Sequence, residues 1–189
     1  METPAAHHFS LESPPPETTT MTVEEFLESD LEGYEYIKGE LVPMPPKSLE
    51  LGGISTNVAL SLGLYVRENQ KGRIYMPYTA FKVGECGLIP DIAFISTDRI
   101  PADLSKPFPI PPNLAVEIVS RTDVLHQVEE KAFTYLEAGT QLVWVLKPRS
   151  KTVTVYRSET DITLLTRNDT LTGENVIEGF SCQVAELFE

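Results

Sequence analysis

Asn113-Leu114-Ala115-Val116-Glu117-Ile118-Val119-Ser120 is a short apolar run broken once, in its middle, by an acid. A run of this length and β-branched content belongs to an interior strand covered on both faces. A carboxylate inside such a strand is costly unless it is paired, hydrogen-bonded or bound to a metal. Upstream, Asp91 follows Pro90 and opens a second apolar run, Ile92-Ala93-Phe94-Ile95. Taken singly, either acid reads as an edge-strand residue facing solvent. Two such acids on consecutive strands instead supply the pair of hard oxygen ligands that Mg²⁺ takes.

Working outward, Asp123 to Ala138 forms a helix with Val124, Leu125, Val128, Ala132, Tyr135 and Leu136 on one face, and Gly139 is a natural stop. Lys131 lies beside Val124 and Tyr135, on the margin of that apolar stripe. A lone helical lysine is usually a solvated charge. Here its stem can pack on the core while the ammonium reaches back toward the strand ends. Leu142–Leu146 and Thr152–Tyr156 read as strands joined across a basic turn, Lys147 to Lys151. That turn is equally a solvated hairpin end or a phosphate contact. Two short strands, near Ile162–Leu165 and Val176–Phe180, close the domain.

In the other direction, Arg73–Val83 and Ile89–Ser96 read as strands around a turn at Gly84–Gly87, and a proline-rich loop runs from Pro101 to Pro112. Leu51 to Asn69 carries Ile54, Val58, Leu62 and Tyr65 at helical spacing. Tyr34 to Val42 alternates around Lys38-Gly39 as a β-hairpin. Thr22 and Glu25 form a capping box opening a short helix. Residues 1–20, with Pro14-Pro15-Pro16 and few large apolar side chains, read as a disordered tail. The expected fold is therefore α/β: a mixed sheet flanked by helices, in the order αβββαβ, over residues 21–189. It carries an N-terminal helix and hairpin and extra C-terminal strands.

The net charge is −13, but residues 1–40 hold ten acids against Lys38 alone, so most of the excess is local. The charge neither excludes nor supports a nucleic-acid partner. Cys86 and Cys182, far apart and without a partner motif, point to a reducing cytoplasm rather than a disulfide or zinc framework. No uninterrupted apolar run approaches the roughly 18 residues that span a bilayer, so no membrane association is expected. His7 and His8 lie in the tail and His126 stands alone, which leaves no histidine metal site or Ser-His-Asp triad. No phosphate loop or dinucleotide fingerprint occurs. A two-carboxylate glycosidase is conceivable from the acids, but no aromatic sugar platform accompanies them.

Pro90-Asp91-Ile92-Ala93-Phe94-Ile95, the Glu117 strand, then Lys131, Tyr135, Gly139 and Val143-Trp144-Val145 together resemble a known pattern. From about Met21 to Phe188 the chain is similar to the bacterial Uma-two family of restriction-endonuclease-like proteins, in the PD-(D/E)xK nuclease superfamily. The resemblance implies a restriction-endonuclease-like core and hydrolysis of phosphodiester bonds in nucleic acid, DNA foremost, dependent on Mg²⁺ or Mn²⁺. It implies that Asp91, Glu117 and Ile118 hold the ion, that Glu50 is the helix carboxylate completing the catalytic site, and that Lys131 positions water or stabilises the transition state. The superfamily lysine normally stands two residues after the acid, where this chain has Val119; Lys131 substitutes for it, with Lys82 as the alternative. Cutting both strands of a duplex favours a two-fold homodimer. The competing reading is an inactive nuclease-fold module that binds nucleic acid or protein.

Overall fold

The computed structural model describes residues 21–189; the expected disordered tail lies outside the described residues. In chain order the elements are α1 (Val23–Glu28), β1 (Tyr34–Ile37), β2 (Glu40–Pro43), α2 (Leu49–Glu68), β3 (Gly72–Tyr75), β4 (Phe81–Val83), β5 (Cys86–Leu88) and β6 (Ile92–Ser96). Then come β7 (Leu114–Ile118), α3 (Leu125–Glu137), β8 (Leu142–Lys147), β9 (Thr152–Tyr156), β10 (Ile162–Leu165), β11 (Thr170–Thr172) and β12 (Ser181–Gln183).

Six strands form the central sheet in the order β10-β9-β8-β7-β6-β3. Only β7 and β8 are parallel. A parallel pair needs a long crossover, and α3 is that crossover. Both faces are covered, so β7 is buried along its whole length and reads as an apolar run. Leu114, Val116 and Ile118 face a core shared with Leu51, Ile54, Val58, Leu62 and Val66 of α2. Ala115 faces the opposite core, with Ala132 and Tyr135 of α3. Within this sheet the order is α2-β3-β6-β7-α3-β8, the expected αβββαβ.

A second sheet, β2-β1-β5-β4, joins the N-terminal hairpin to a second hairpin, β4-β5, inserted between β3 and β6. This corrects the reading of Arg73–Val83 as one strand. Pro77 cannot donate to a ladder, and Tyr78 takes a left-handed φ of 81°, so the chain leaves the central sheet after Tyr75. It then pairs β4 with β5 across a two-residue turn at Gly84-Glu85. The N-terminal capping box forms as expected, with Thr22 accepting from the Glu25 N–H and Glu25 accepting from the Thr22 N–H.

Three other expectations change. Val176–Phe180 is not a strand: the Ile177 N–H donates to the Gly173 carbonyl at 2.8 Å and the Phe180 N–H to Ile177 at 3.0 Å, closing tight turns that drop Ile177 and Phe180 into the core. The last strands are instead β11 and β12, paired antiparallel. Val124 and Leu125 are 46% and 44% exposed, so the buried stripe of α3 begins a turn later than its apolar pattern suggests. Finally, α2 has 20 residues and a mean hydropathy of 1.2 over its apolar window, so by length and composition it could cross a membrane. Scattered Ser, Asn and Gly residues hide this from a search for unbroken apolar runs. In the fold, one face of α2 packs on the sheet.

Candidate active site

Asp91 and Glu117 occupy the same end and the same face of the central sheet. The antiparallel register pairs Ile92 with Val116 and Ala93 with Ala115. One step beyond Ile92, Asp91 stands opposite Glu117, and both alternate onto the α3 face with Ala93 and Ala115. Asp91 is 6% exposed and Glu117 8%.

In the same register Pro90 faces Ile118, and a proline has no N–H for the ladder. The Ile118 N–H donates to Asp91 Oδ2 at 2.7 Å. The Ile118 carbonyl points the same way as its N–H, toward a residue that cannot donate to it.

Lys131 projects from α3 into this site. Its Nζ lies 2.8 Å from Glu117 Oε1 and 2.8 Å from Glu35 Oε1, with the side chain 18% exposed. Tyr135, one turn further on and fully buried, donates its hydroxyl to the same Glu117 Oε1 at 3.0 Å. Two donors therefore converge on Oε1, and among the described residues none donates to Oε2. Burial pushes the Glu117 carboxyl up to about 7; Lys131 opposes the shift, and the charges of Asp91 and Glu35 add to it. Burial pulls the Lys131 ammonium down, but Glu117 and Glu35 together hold it well above its ordinary value. Burial and the neighbouring carboxylates likewise raise the Tyr135 hydroxyl, which stays a donor.

The sequence reading missed Glu35 and Lys47. Glu35 comes from β1, where Tyr34 and Tyr36 pack toward α1 while Glu35 alternates with Ile37 toward the α3 core. Its Oε1 also accepts the Ile89 N–H at 2.7 Å, and the residue is 6% exposed. A usable signal existed: an acid sharing the parity of Ile37 between two tyrosines of a hairpin. Lys47, from the loop before α2, lies 2.9 Å from Asp91 Oδ1 and 3.0 Å from Oδ2. No periodicity marks it.

Two other candidates have other charge partners. Glu50, in the first turn of α2, belongs to a helix that covers the other sheet face; it is exposed and 3.6 Å from Arg121. Lys82, on β4, is paired with Glu24 of α1. Of the two candidate lysines, the fold brings Lys131 to Glu117.

The chain matches the Uma2 family, described as "Putative restriction endonuclease", over residues 23–185. It belongs to the Uma2 family. Among solved structures it is similar to one described as a putative nuclease belonging to DUF820 from Anabaena variabilis, with a TM-score of 0.79 and 23% identity. That match covers 89% of this chain and 97% of the other, and at such identity it shows the shared fold. No curated protein matches the sequence.

Divalent metal is typical of restriction-endonuclease-like families, and the residues present fit a hard cation. Two buried carboxylates and the Ile118 carbonyl form an all-oxygen set. Three acids (Glu35, Asp91 and Glu117) face two ammonium groups, leaving the cluster short of positive charge. Among the described residues, no three of His, Cys, Asp and Glu form a metal cage by themselves. Mg²⁺ keeps several waters and uses one or two carboxylates plus substrate phosphate, so it does not require such a cage.

Proposed function

We propose that this Uma2 protein is a Mg²⁺- or Mn²⁺-dependent endonuclease that hydrolyses phosphodiester bonds in DNA. The observation that carries the reading is the buried Asp91–Glu117 pair at one sheet end, with the Lys131 ammonium 2.8 Å from Glu117. Asp91, Glu117 and the Ile118 carbonyl would hold the ion. When bound, such an ion polarises the phosphate and lowers the pKa of water.

The chain's own residues would do the rest. Tyr135 and Lys131 occupy Glu117 Oε1 and so leave Oε2 as the ligand oxygen. Glu35 anchors the second side of Lys131, keeping its ammonium beside Glu117 where it can orient a water and balance charge building on the phosphate. The exposed bases Arg121, Arg149 and Lys151, with the half-buried Lys147, follow the ends of β7 and β8. Those two strands run parallel, so the bases gather at the edge where the site opens and suit a phosphate backbone. DNA as substrate rests on the family's description.

The test incubates purified protein with supercoiled and linear DNA and with RNA, in Mg²⁺, Mn²⁺ or EDTA. Cleavage of DNA should require the ion, vanish in Asp91→Asn and Glu117→Gln, and fall roughly 10²–10³-fold in Lys131→Met, the scale of removing one charge-stabilising donor. Arg167→Ala, on the exposed loop after β10, should cleave normally. Folded protein that binds DNA but cuts nothing under any of these conditions would favour the inactive binding module.

A further inference from the structure

Lys47 follows Pro43, Pro45 and Pro46 and precedes Ser48, the N-cap of α2. The prolines fix an irregular, exposed connection that can neither donate to a ladder nor continue a helix. From this loop the ammonium forks onto both oxygens of Asp91, at 2.9 and 3.0 Å. A cation in contact with both oxygens of a buried carboxylate occupies a position that a divalent ion bound to that carboxylate would contest.

The two site lysines are held very differently. Lys131 is 18% exposed, lies within a helix and is tied to two carboxylates, so it keeps Glu35 even if Glu117 takes another partner. Lys47 is 45% exposed, sits on a loop and has Asp91 as its one carboxylate partner among the described residues. Its flexible four-carbon stem can carry the charge away without moving the backbone. It would swing out into the edge that already carries Arg121 and the basic β8–β9 turn.

We propose that Lys47 is a displaceable counterion: it neutralises Asp91 while no ion is bound, yields when a divalent cation binds, and then contacts a phosphate of the nucleic acid. This rests on the reading of Asp91 as a metal ligand. Lys131 leaves Glu117 Oε2 open, whereas Lys47 covers both Asp91 oxygens, so at Asp91 an incoming ion meets the ammonium at contact distance and the two compete. The exchange also couples the two ligands, because a bound ion frees a base for the phosphate backbone.

Mn²⁺ affinity, read from the electron paramagnetic resonance of free Mn²⁺, tests the first half on the full-length protein without nucleic acid. Lys47→Met and Lys47→Gln should bind Mn²⁺ about ten-fold more tightly than the parent, since removing a full charge at contact is worth at least one decade. Unchanged or weaker binding in both, with Asp91→Asn losing Mn²⁺, would overturn the displacement and leave the metal site standing. Unchanged Mn²⁺ affinity in Asp91→Asn would overturn the metal-site reading itself. For the second half, affinity for a DNA duplex is measured against salt with Ca²⁺ in place of Mg²⁺. Lys47→Met should bind several-fold more weakly and with a salt slope shallower by about one phosphate contact. A slope equal to that of the parent and of Arg167→Ala would overturn the phosphate contact.

Discussion

Lys131 compensates two buried carboxylates at once, 2.8 Å from each, so its removal strands both Glu35 and Glu117. Lys131→Met keeps the apolar stem but should destabilise the protein by about 3 kcal/mol, because breaking a buried pair leaves uncompensated charge. Urea denaturation in EDTA checks this; a loss below about 1 kcal/mol would show that the acids shed their charge by taking up protons. Glu117 has the opposite sign. Burial, with Asp91 and Glu35, raises its carboxyl from 4.5 to about 7 despite Lys131, so the folded protein binds this proton more tightly than the unfolded chain does. The contribution is complete below pH 4.5 and is lost as pH climbs through 7. Metal-free protein should therefore lose on the order of a few kcal/mol between pH 5 and 8. Glu117→Gln, neutral throughout, should flatten that dependence and exceed the parent in melting temperature at pH 8. A parallel pH profile in the two proteins would refute the assignment.

At the scale of elements, the site depends on two close approaches that glycine alone permits. Gly72 opens β3 at a φ of 156°, where an added Cβ would collide with the Ile95 carbonyl and meet the Phe94 ring at 2.9 Å. Those residues belong to β6, the strand that Asp91 precedes. Gly72→Ala should therefore cost roughly 2–4 kcal/mol, combining backbone strain with overpacking; thermal melts measure it, and a neutral variant would mean that β3 can slide. Gly87 plays the same part in the small sheet, where a Cβ would meet the Phe26 ring. It lets α1 lie against β5 and so braces β1, the strand that supplies Glu35. The αβββαβ order was legible from periodicity because α2, β7 and α3 each present a regular pattern. The break after Tyr75 was not: Arg73 to Val83 reads as one extended run, and local propensity shows neither the left-handed turn at Tyr78 nor which sheet the chain joins after it.

Across the whole molecule, the site is a junction. Glu35 comes from the small sheet, Asp91 and Glu117 from the central one, Lys131 and Tyr135 from the crossover helix, and Lys47 from the loop before α2. The C-terminal turns, with Ile177, Phe180, Val184 and Leu187, fill the opposite core beneath α2 and leave the α3 face to the acids. The composition of residues 1–20 offers few apolar groups to any core. Deleting them should leave the melting temperature within about two degrees of the full chain. A larger fall would mean that the segment docks on the domain.

Asp91 and Glu117 were readable because an acid inside an apolar strand is a conflict visible in the sequence itself: burial there demands a partner. Lys131 was readable as a lysine on the margin of a buried stripe, because helical periodicity gives its angle to the apolar face. What period cannot give is the identity of the element that face meets. Glu35 and Lys47 reach Ile89 and Asp91 from 54 and 44 residues away, and their neighbourhoods look like an ordinary hairpin and a proline-rich loop. Glu50 was readable as a carboxylate in the first turn of a helix, but not that its charge partner would be Arg121, 71 residues on. Sequence alone determined which residues could not be buried without a partner; only the tertiary structure decided the partners, because ion pairing depends on distance through space and not along the chain.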